Sequence, residues 1–195
     1  MREKLKNLTP NFWLYDYWKQ KVNLLEKKDV NIIISDFDDC IFCRKDQLEQ
    51  SQLLRENRWD AGTQMIFNEI WVKKYIWDFV ENKQYPKDIT SLLNDKTDII
   101  LTAGIYENQM EKIKACGLDS IKTIVVPTGE DKIIATIRYV IFDLGFIPNS
   151  ITVFEDRPHF FVEYRELLED ILEAKFIIKK VVMNGNDTSP EITII

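Results

Sequence analysis

Histidine is almost absent from this sequence, and cysteine is rare. The single histidine, His159, excludes any intramolecular site that needs two imidazoles, including the zinc motif with two helical histidines. The three cysteines, Cys40, Cys43 and Cys116, are odd in number and lack paired metal-binding spacing, so we expect reduced thiols. Gly-x-Gly-x-x-Gly and Walker-type Gly-Lys-Ser/Thr motifs are also missing, which gives the common nucleotide-binding loops little support.

Long apolar runs are missing as well. No run approaches the roughly 20 residues of a membrane span and no early segment resembles a signal peptide, so we expect a cytoplasmic protein with no membrane partner. A net charge of −6 disfavours broad electrostatic binding to nucleic acid. The composition is otherwise ordinary for a soluble globular protein, and the 195 residues suffice for one core, or for one core and a small module. The oligomeric state stays open.

Three carboxylates follow directly on an apolar segment early in the chain. Residues 30–34 are β-branched and almost continuously apolar, as in a strand that is buried on both faces. Asp36, Asp38 and Asp39 stand at or just beyond its end. Sites in open α/β sheets lie at the carboxyl ends of strands, and closely packed like charges indicate a divalent cation. A solvated acidic turn is the ordinary alternative, but matching segments further along the chain favour a site.

The rest of the chain alternates between strand and helix patterns, which predicts an α/β fold with a parallel sheet covered on both faces. The predicted core comprises residues 30–43 and 98–183, between a helical extension over residues 1–29 and a loose tail over residues 184–195. The five predicted strands cover residues 30–34, 98–104, 123–126, 151–154 and 176–183.

A long helical stretch separates the first two predicted strands. Residues 44–97 are too many for a simple crossover, so we expect an inserted helical module. This insert would either add helices to the core or form a cap that excludes water from the acidic site and selects the substrate.

Three of the five predicted strands end in polar groups that could share one site. If these ends converge, Asp36, groups around Asp38, and Asp156 could hold a cation, and oxygen ligands favour Mg²⁺ over zinc. Lys132 at a helix start would supply a fixed positive charge, and Thr102 a hydroxyl donor. This set of groups matches the demands of phosphoryl transfer. Asp36 could attack phosphorus to form an aspartyl-phosphate, while Asp38 protonates the leaving oxygen and later activates water.

The same segments resemble, in order, the four motifs of the haloacid dehalogenase (HAD) superfamily. The first motif is an apolar strand followed by Asp-x-Asp-x-Thr/Val, which is similar to Asp36-Phe37-Asp38-Asp39-Cys40. The other three are a strand that ends in Thr/Ser, a lysine near a helix start, and a strand that ends in acidic residues. The matching segments here are 99–102, Lys132 and 153–156.

The resemblance implies a Rossmann-like five-stranded parallel sheet with a helical cap at residues 44–97, a Mg²⁺ site and a nucleophilic Asp36. A second acid at Asp38 points to the phosphatase branch of the superfamily. The implied catalytic residues are Asp36, Asp38, Thr102 and Lys132. The implied metal ligands are Asp36, Asp38 through its backbone carbonyl, and Glu155 and Asp156, of which either could bind the metal directly. The candidate substrate-binding residues are Thr102, Ala103, Gly104 and Arg157.

Some positions leave alternatives open. Cys40 replaces the usual Thr or Val and would make the site oxidisable if its thiol were reactive. Arg157 could bind a second substrate anion or pair with a neighbouring carboxylate, and His159 fits a loop or capping position. Residues 155–159 are similar to a stretch of HAD domains in proteins proposed to act in RNA repair. We therefore expect a phosphorylated small molecule, or a nucleotide or oligonucleotide end, as substrate; a phosphotransferase and an inactive binding protein are the alternatives.

Overall fold

The computed structural model describes residues 14–43, 97–184 and 189–195. Most of the predicted insert and the first part of the N-terminal extension therefore lie outside the described residues. A π-helical segment, Tyr139–Leu144, directly follows the α-helix Asp131–Arg138. The helices and strands are α1 Leu14–Val22, β1 Glu26–Ser35, β2 Ile99–Ala103, α2 Tyr106–Ala115, β3 Lys122–Val126, α3 Asp131–Arg138, β4 Phe146–Glu155, α4 His159–Leu172, β5 Lys175–Val182 and β6 Glu191–Ile194.

The strands form one sheet in the order β3-β2-β1-β4-β5-β6. The first five strands of that order run parallel, which confirms the predicted α/β class and mostly parallel sheet. The sheet has six strands rather than the predicted five, because β6 pairs antiparallel with β5. An antiparallel neighbour needs no crossover helix. Four residues, Glu191–Ile194, are therefore enough to add this strand. Their apolar side chains stand only at alternate positions, which is too short a pattern to predict a strand from the sequence.

Strands β1 and β4 are longer than the predicted apolar segments. β1 begins at Glu26 and β4 at Phe146, where the two strands already pair. The first part of β1 is exposed and charged, so it carries no hydrophobic signal. Pro148 lies inside β4, close to the register shift of β1 between Lys28 and Asn31. Proline is tolerated in strands at such irregularities because its missing N–H would break a regular ladder.

Alternate strand residues bury their side chains on opposite faces of the sheet. Ile99 and Leu101 of β2 join a large core with α1, α3 and α4, whereas Ile100 packs with α2 and with the loop after β1. Lys19 of α1 donates to the backbone oxygen of Asp170 in α4 at 2.7 Å, which fixes α1 on the first of these faces. No helix in the described ranges is both long enough and apolar enough to span a bilayer.

The strand order places a crevice beside β1. The chain runs from β1 outwards through β2 to β3, then returns to the other side of β1 for β4 and continues to β5. The connections that leave β1 and β4 therefore diverge, and ligands of open α/β sheets bind at such a switch point, at the carboxyl ends of the strands. The three predicted polar strand ends lie at this edge of the sheet.

Candidate active site

A cleft of about 350 Å³ opens at the carboxyl edge of β1, β2 and β4. All the residues that sequence reasoning selected as catalytic, substrate-binding or metal-binding line it. Four further residues complete the wall. The predicted lining residues are Asp36, Asp38, Thr102, Ala103, Gly104, Lys132, Glu155, Asp156 and Arg157, and the unpredicted ones are Pro127, Thr128, Gly129 and Phe160.

Asp36 is held by the backbone on both sides. Its own N–H donates to the carbonyl of Phe154 at 2.9 Å, which extends the ladder between β1 and β4 by one residue. Its Oδ1 accepts from the N–H of Phe37 at 2.8 Å, and the residue is 7% exposed. The carboxylate therefore has a fixed orientation at the floor of the cleft.

Lys132 links two strands through their acidic ends. It is the second residue of α3, and its side chain is 4% exposed. Its Nζ lies 3.0 Å from Oδ1 of Asp36 and 2.7 Å from Oε2 of Glu155. Burial lowers the pKa of Lys132, but the two carboxylates outweigh burial and raise it above its ordinary value. The predicted lysine is thus a permanent positive charge at the centre of the site.

Asp36, Glu155 and Asp156 form an acidic cluster. Each offers a carboxylate oxygen, and these oxygens lie within 4.8 Å of one another. Burial raises the pKa of Glu155 and of Asp156, and the negative charge of Asp36 raises both further. The buried ammonium of Lys132 pairs with Asp36 and Glu155. Among the described residues the third carboxylate, Asp156, forms an ion pair only with the exposed Arg157, so the cluster has an excess of negative charge. The excess charge and the all-oxygen donor set fit a hard divalent cation such as Mg²⁺.

The end of β2 presents a hydroxyl to the cleft. Thr102 is buried, and its Oγ1 has no hydrogen-bond partner within the described part of the chain. A buried hydroxyl without a partner is uncommon, and an acceptor that enters the cleft would satisfy it. Gly104 follows with φ +147, a backbone conformation that favours glycine. The predicted substrate-side residues Thr102, Ala103 and Gly104 therefore form one wall.

Asp38 stands apart from the acidic cluster. Nζ of Lys112 lies 2.7 and 2.6 Å from its two carboxylate oxygens, and Gln109 Nε2 donates to Oδ2 at 2.9 Å. Its side chain is not part of the cation cluster found among the described residues. Sequence reasoning missed Lys112 and Gln109; the available signal was two polar residues on the α2 face that also carries the buried Ile113.

The chain makes a tight turn directly after Asp36. The N–H groups of Ile41 and Phe42 both donate to the carbonyl of Phe37 at 2.9 Å, and Asp39 adopts φ +58. Asp is among the few residues that tolerate this left-handed conformation, so Asp39 has a structural role in the turn. Cys40 is fully buried, and burial, followed by the charge of Asp36, raises its pKa well above the ordinary value. The thiolate is disfavoured, which argues against an oxidisable Cys40.

Arg157 and the ring of Phe160 also line the cleft. The Arg157 side chain is 67% exposed, and its Nε lies 3.5 Å from Oδ2 of Asp156, the pairing that was one of its two predicted roles. His159 is exposed at the start of α4, and its ring lies 3.8 Å from that of Phe160. Phe160 covers Gly129 so closely that an added Cβ would lie 2.3 Å from its ring. A side chain at position 129 would therefore collide with the Phe160 ring, and glycine allows this ring to pack against the backbone.

Comparison of the chain with protein-family models, with curated proteins and with solved structures found no match. The function must therefore be inferred from the residues that the cleft brings together.

Proposed function

We propose that this protein is a Mg²⁺-dependent phosphatase of the HAD type, which hydrolyses a phosphomonoester through an aspartyl-phosphate on Asp36. The supporting observation is the convergence of four separate segments on one cleft. They supply a fixed carboxylate, a buried hydroxyl that has no partner among the residues the structure describes, a buried ammonium and a second acidic pair. A solvated acidic turn would not account for the buried Lys132 or for Thr102.

In the first step a carboxylate oxygen of Asp36 attacks phosphorus and the bond from phosphorus to the ester oxygen breaks. Oδ1 is engaged by Phe37 N–H and by Lys132, so we assign the attack to Oδ2. Asp38 transfers a proton to the departing oxygen, which leaves as an alcohol. The products are the aspartyl-phosphate and the carboxylate form of Asp38.

The transferred phosphoryl group carries negative charge on its three outer oxygens, and the cleft offers compensation. Thr102 Oγ1 would donate a hydrogen bond to one of them, which would also satisfy its buried hydroxyl. Lys132 places a positive charge beside the nucleophile. Donors fixed in a partly buried site stabilise such charge without reorganisation.

In the second step a water molecule attacks the phosphorus of the aspartyl-phosphate. Asp38 accepts the proton of this water, the bond between phosphorus and Asp36 breaks, and inorganic phosphate leaves. Asp36 returns to its carboxylate form and Asp38 to its protonated form, so each turnover is balanced. Asp36, Glu155 and Asp156 would hold Mg²⁺, which neutralises charge on the phosphoryl oxygens when it is bound.

The test measures release of phosphate from an aryl phosphate with and without Mg²⁺, for the wild type, Asp36→Asn and Asp39→Asn. The two substitutions make the same chemical change in the same loop, and Asp39 lies outside the cleft lining. Asn also tolerates the left-handed conformation of residue 39. We expect Asp36→Asn to lose at least about 100-fold in turnover, as expected for removal of a nucleophile, and Asp39→Asn to stay within about threefold of wild type. Equal turnover by wild type and Asp36→Asn would exclude Asp36 as nucleophile.

A further inference from the structure

We infer that Lys112 and Gln109 of α2 are positioning residues, which orient the Asp38 side chain for proton transfer to the leaving oxygen and stabilise the carboxylate that this transfer leaves. This inference rests on the proposed phosphatase function. It concerns two residues that lie outside the cleft lining and donate hydrogen bonds to Asp38, which lines the cleft.

The contacts restrain both oxygens of Asp38. Lys112 Nζ lies 2.7 Å from Oδ1 and 2.6 Å from Oδ2, and Gln109 adds a second donor to Oδ2 at 2.9 Å. The side chains of Lys112 and Asp38 are 9% and 13% exposed, so solvent screens the pair little. The Lys112 ammonium also lies 5.5 Å from the ring centroid of Phe37, the residue between the two site aspartates. These contacts leave the Asp38 side chain few alternative orientations.

Gln109 is itself anchored to the phosphate-facing strand. Its Nε2 donates to the carbonyl of Ala103 at 2.8 Å as well as to Asp38, and these two acceptors fix the orientation of the amide. The approach depends on Gly104, because an added Cβ there would lie 2.8 Å from Gln109 Nε2. Gln109 therefore ties Asp38 to the end of β2, which also carries Thr102. The proposed proton donor and the proposed phosphoryl-binding hydroxyl are therefore linked through the Gln109 side chain and the end of β2.

A purely structural role explains these residues less well. Gln109 and Lys112 are three positions apart and lie on one face of α2 beside the fully buried Ile113. Apolar side chains at these positions would pack without the desolvation penalty of a buried ammonium, and buried ion pairs are weak contributors to stability. Proton transfer, by contrast, depends on placing the donor within a fraction of an ångström.

Leaving-group dependence separates the two roles. An ester whose leaving alcohol has a high pKa needs a proton from Asp38, whereas a nitrophenolate departs without one. We compare kcat/KM, which reports the steps up to departure of the leaving group, for an alkyl phosphate and for nitrophenyl phosphate. The variants are Lys112→Met, Lys112→Arg and Gln109→Leu. Lys114→Met is the matched control, since Lys114 is an exposed lysine of the same helix.

For Lys112→Met we expect kcat/KM to fall about 100-fold with the alkyl ester and less than about threefold with the nitrophenyl ester, in line with the usual contribution of general acid catalysis. Lys112→Arg should recover part of the loss, Gln109→Leu should show a smaller loss of the same kind, and Lys114→Met should match wild type. If Lys112→Met does not fold, Gln109→Leu carries the same comparison without loss of a charge.

Equal losses with both esters would overturn the inference and leave the proposed function intact, because a structural defect lowers both rates alike. A wild type that hydrolyses neither ester would remove the proposed function and the inference with it. Thermal unfolding of each variant, measured alongside, identifies losses that follow from instability.

Discussion

Replacement of Lys132 by Met tests the electrostatic description of the site most directly. The ammonium lies 3.0 Å from Asp36 and 2.7 Å from Glu155, and the Lys132 and Glu155 side chains are each 4% exposed. At an effective dielectric constant of about 20, one such contact has a gross attraction of about 6 kcal/mol, part of which offsets desolvation. Methionine keeps most of the apolar volume but leaves the acidic cluster without its buried cation.

We expect Lys132→Met to lower the free energy of unfolding by about 3–5 kcal/mol, the usual effect of removing one partner of a buried ion pair. Urea unfolding without divalent cations measures this change. Lys114→Met, which removes an exposed lysine, should change the free energy of unfolding by less than about 0.5 kcal/mol. A Lys132→Met variant within about 1 kcal/mol of wild type would refute the assignment of Lys132 as the charge partner of Asp36 and Glu155.

Addition of Mg²⁺ to the same unfolding experiment tests the proposed cation site. A cation that binds the folded cluster adds RT ln(1 + [L]/Kd) to stability, about 2.7 kcal/mol when its concentration is 100 times Kd. Without Lys132 the three carboxylates have more uncompensated charge, so Mg²⁺ should stabilise Lys132→Met more than it stabilises wild type. NaCl at matched ionic strength controls for screening. Equal stabilisation of both proteins by Mg²⁺ would contradict a shared cation at Asp36, Glu155 and Asp156.

Two further predictions concern packing and the thiols. Gly129→Ala should lower the free energy of unfolding by about 1–3 kcal/mol, because the new Cβ collides with the Phe160 ring; urea unfolding measures it, and an unchanged midpoint would contradict this packing. Burial raises the pKa of Cys116 from 9.0 to about 12, so the neutral thiol stabilises the fold fully below pH 9 and this contribution is lost as pH rises towards 12. At pH 8 a disulfide reagent should react slowly with Cys116 in the native protein and rapidly after denaturation; fast native reaction would contradict the burial.

Much of the cleft could be predicted because its residues carry local signals. Asp36, Thr102 and Asp156 each follow or end an apolar segment, and parallel strands necessarily bring such ends to one edge of a sheet. Lys132 stands at the start of a helix with a strong apolar stripe. These signals identified the residues as candidates for one site on the condition that the strand ends converge, and the cleft brings them together.

The features that the sequence did not predict have no recognisable pattern in their own segments. The first half of β1 is charged and exposed, and it becomes a strand only because β4 offers pairing partners. β6 is short and depends on the free edge of β5. Phe160 and Gly129 meet across the cleft, and neither residue shows this contact in its own segment.

The sequence by itself determined the α/β class, the position of the acidic strand ends and the chemistry that these groups could perform, because hydrophobic periodicity and residue type are local properties. Only the tertiary structure decided which partners the three early aspartates contact. Asp36 joins Lys132 and the acidic cluster, Asp38 turns to Lys112 and Gln109, and Asp39 shapes the turn. For Asp36 and Asp38 these partners are far away in the chain. Side chains that are close in sequence can reach different partners only when the packed sheet and helices fix the directions in which those side chains point.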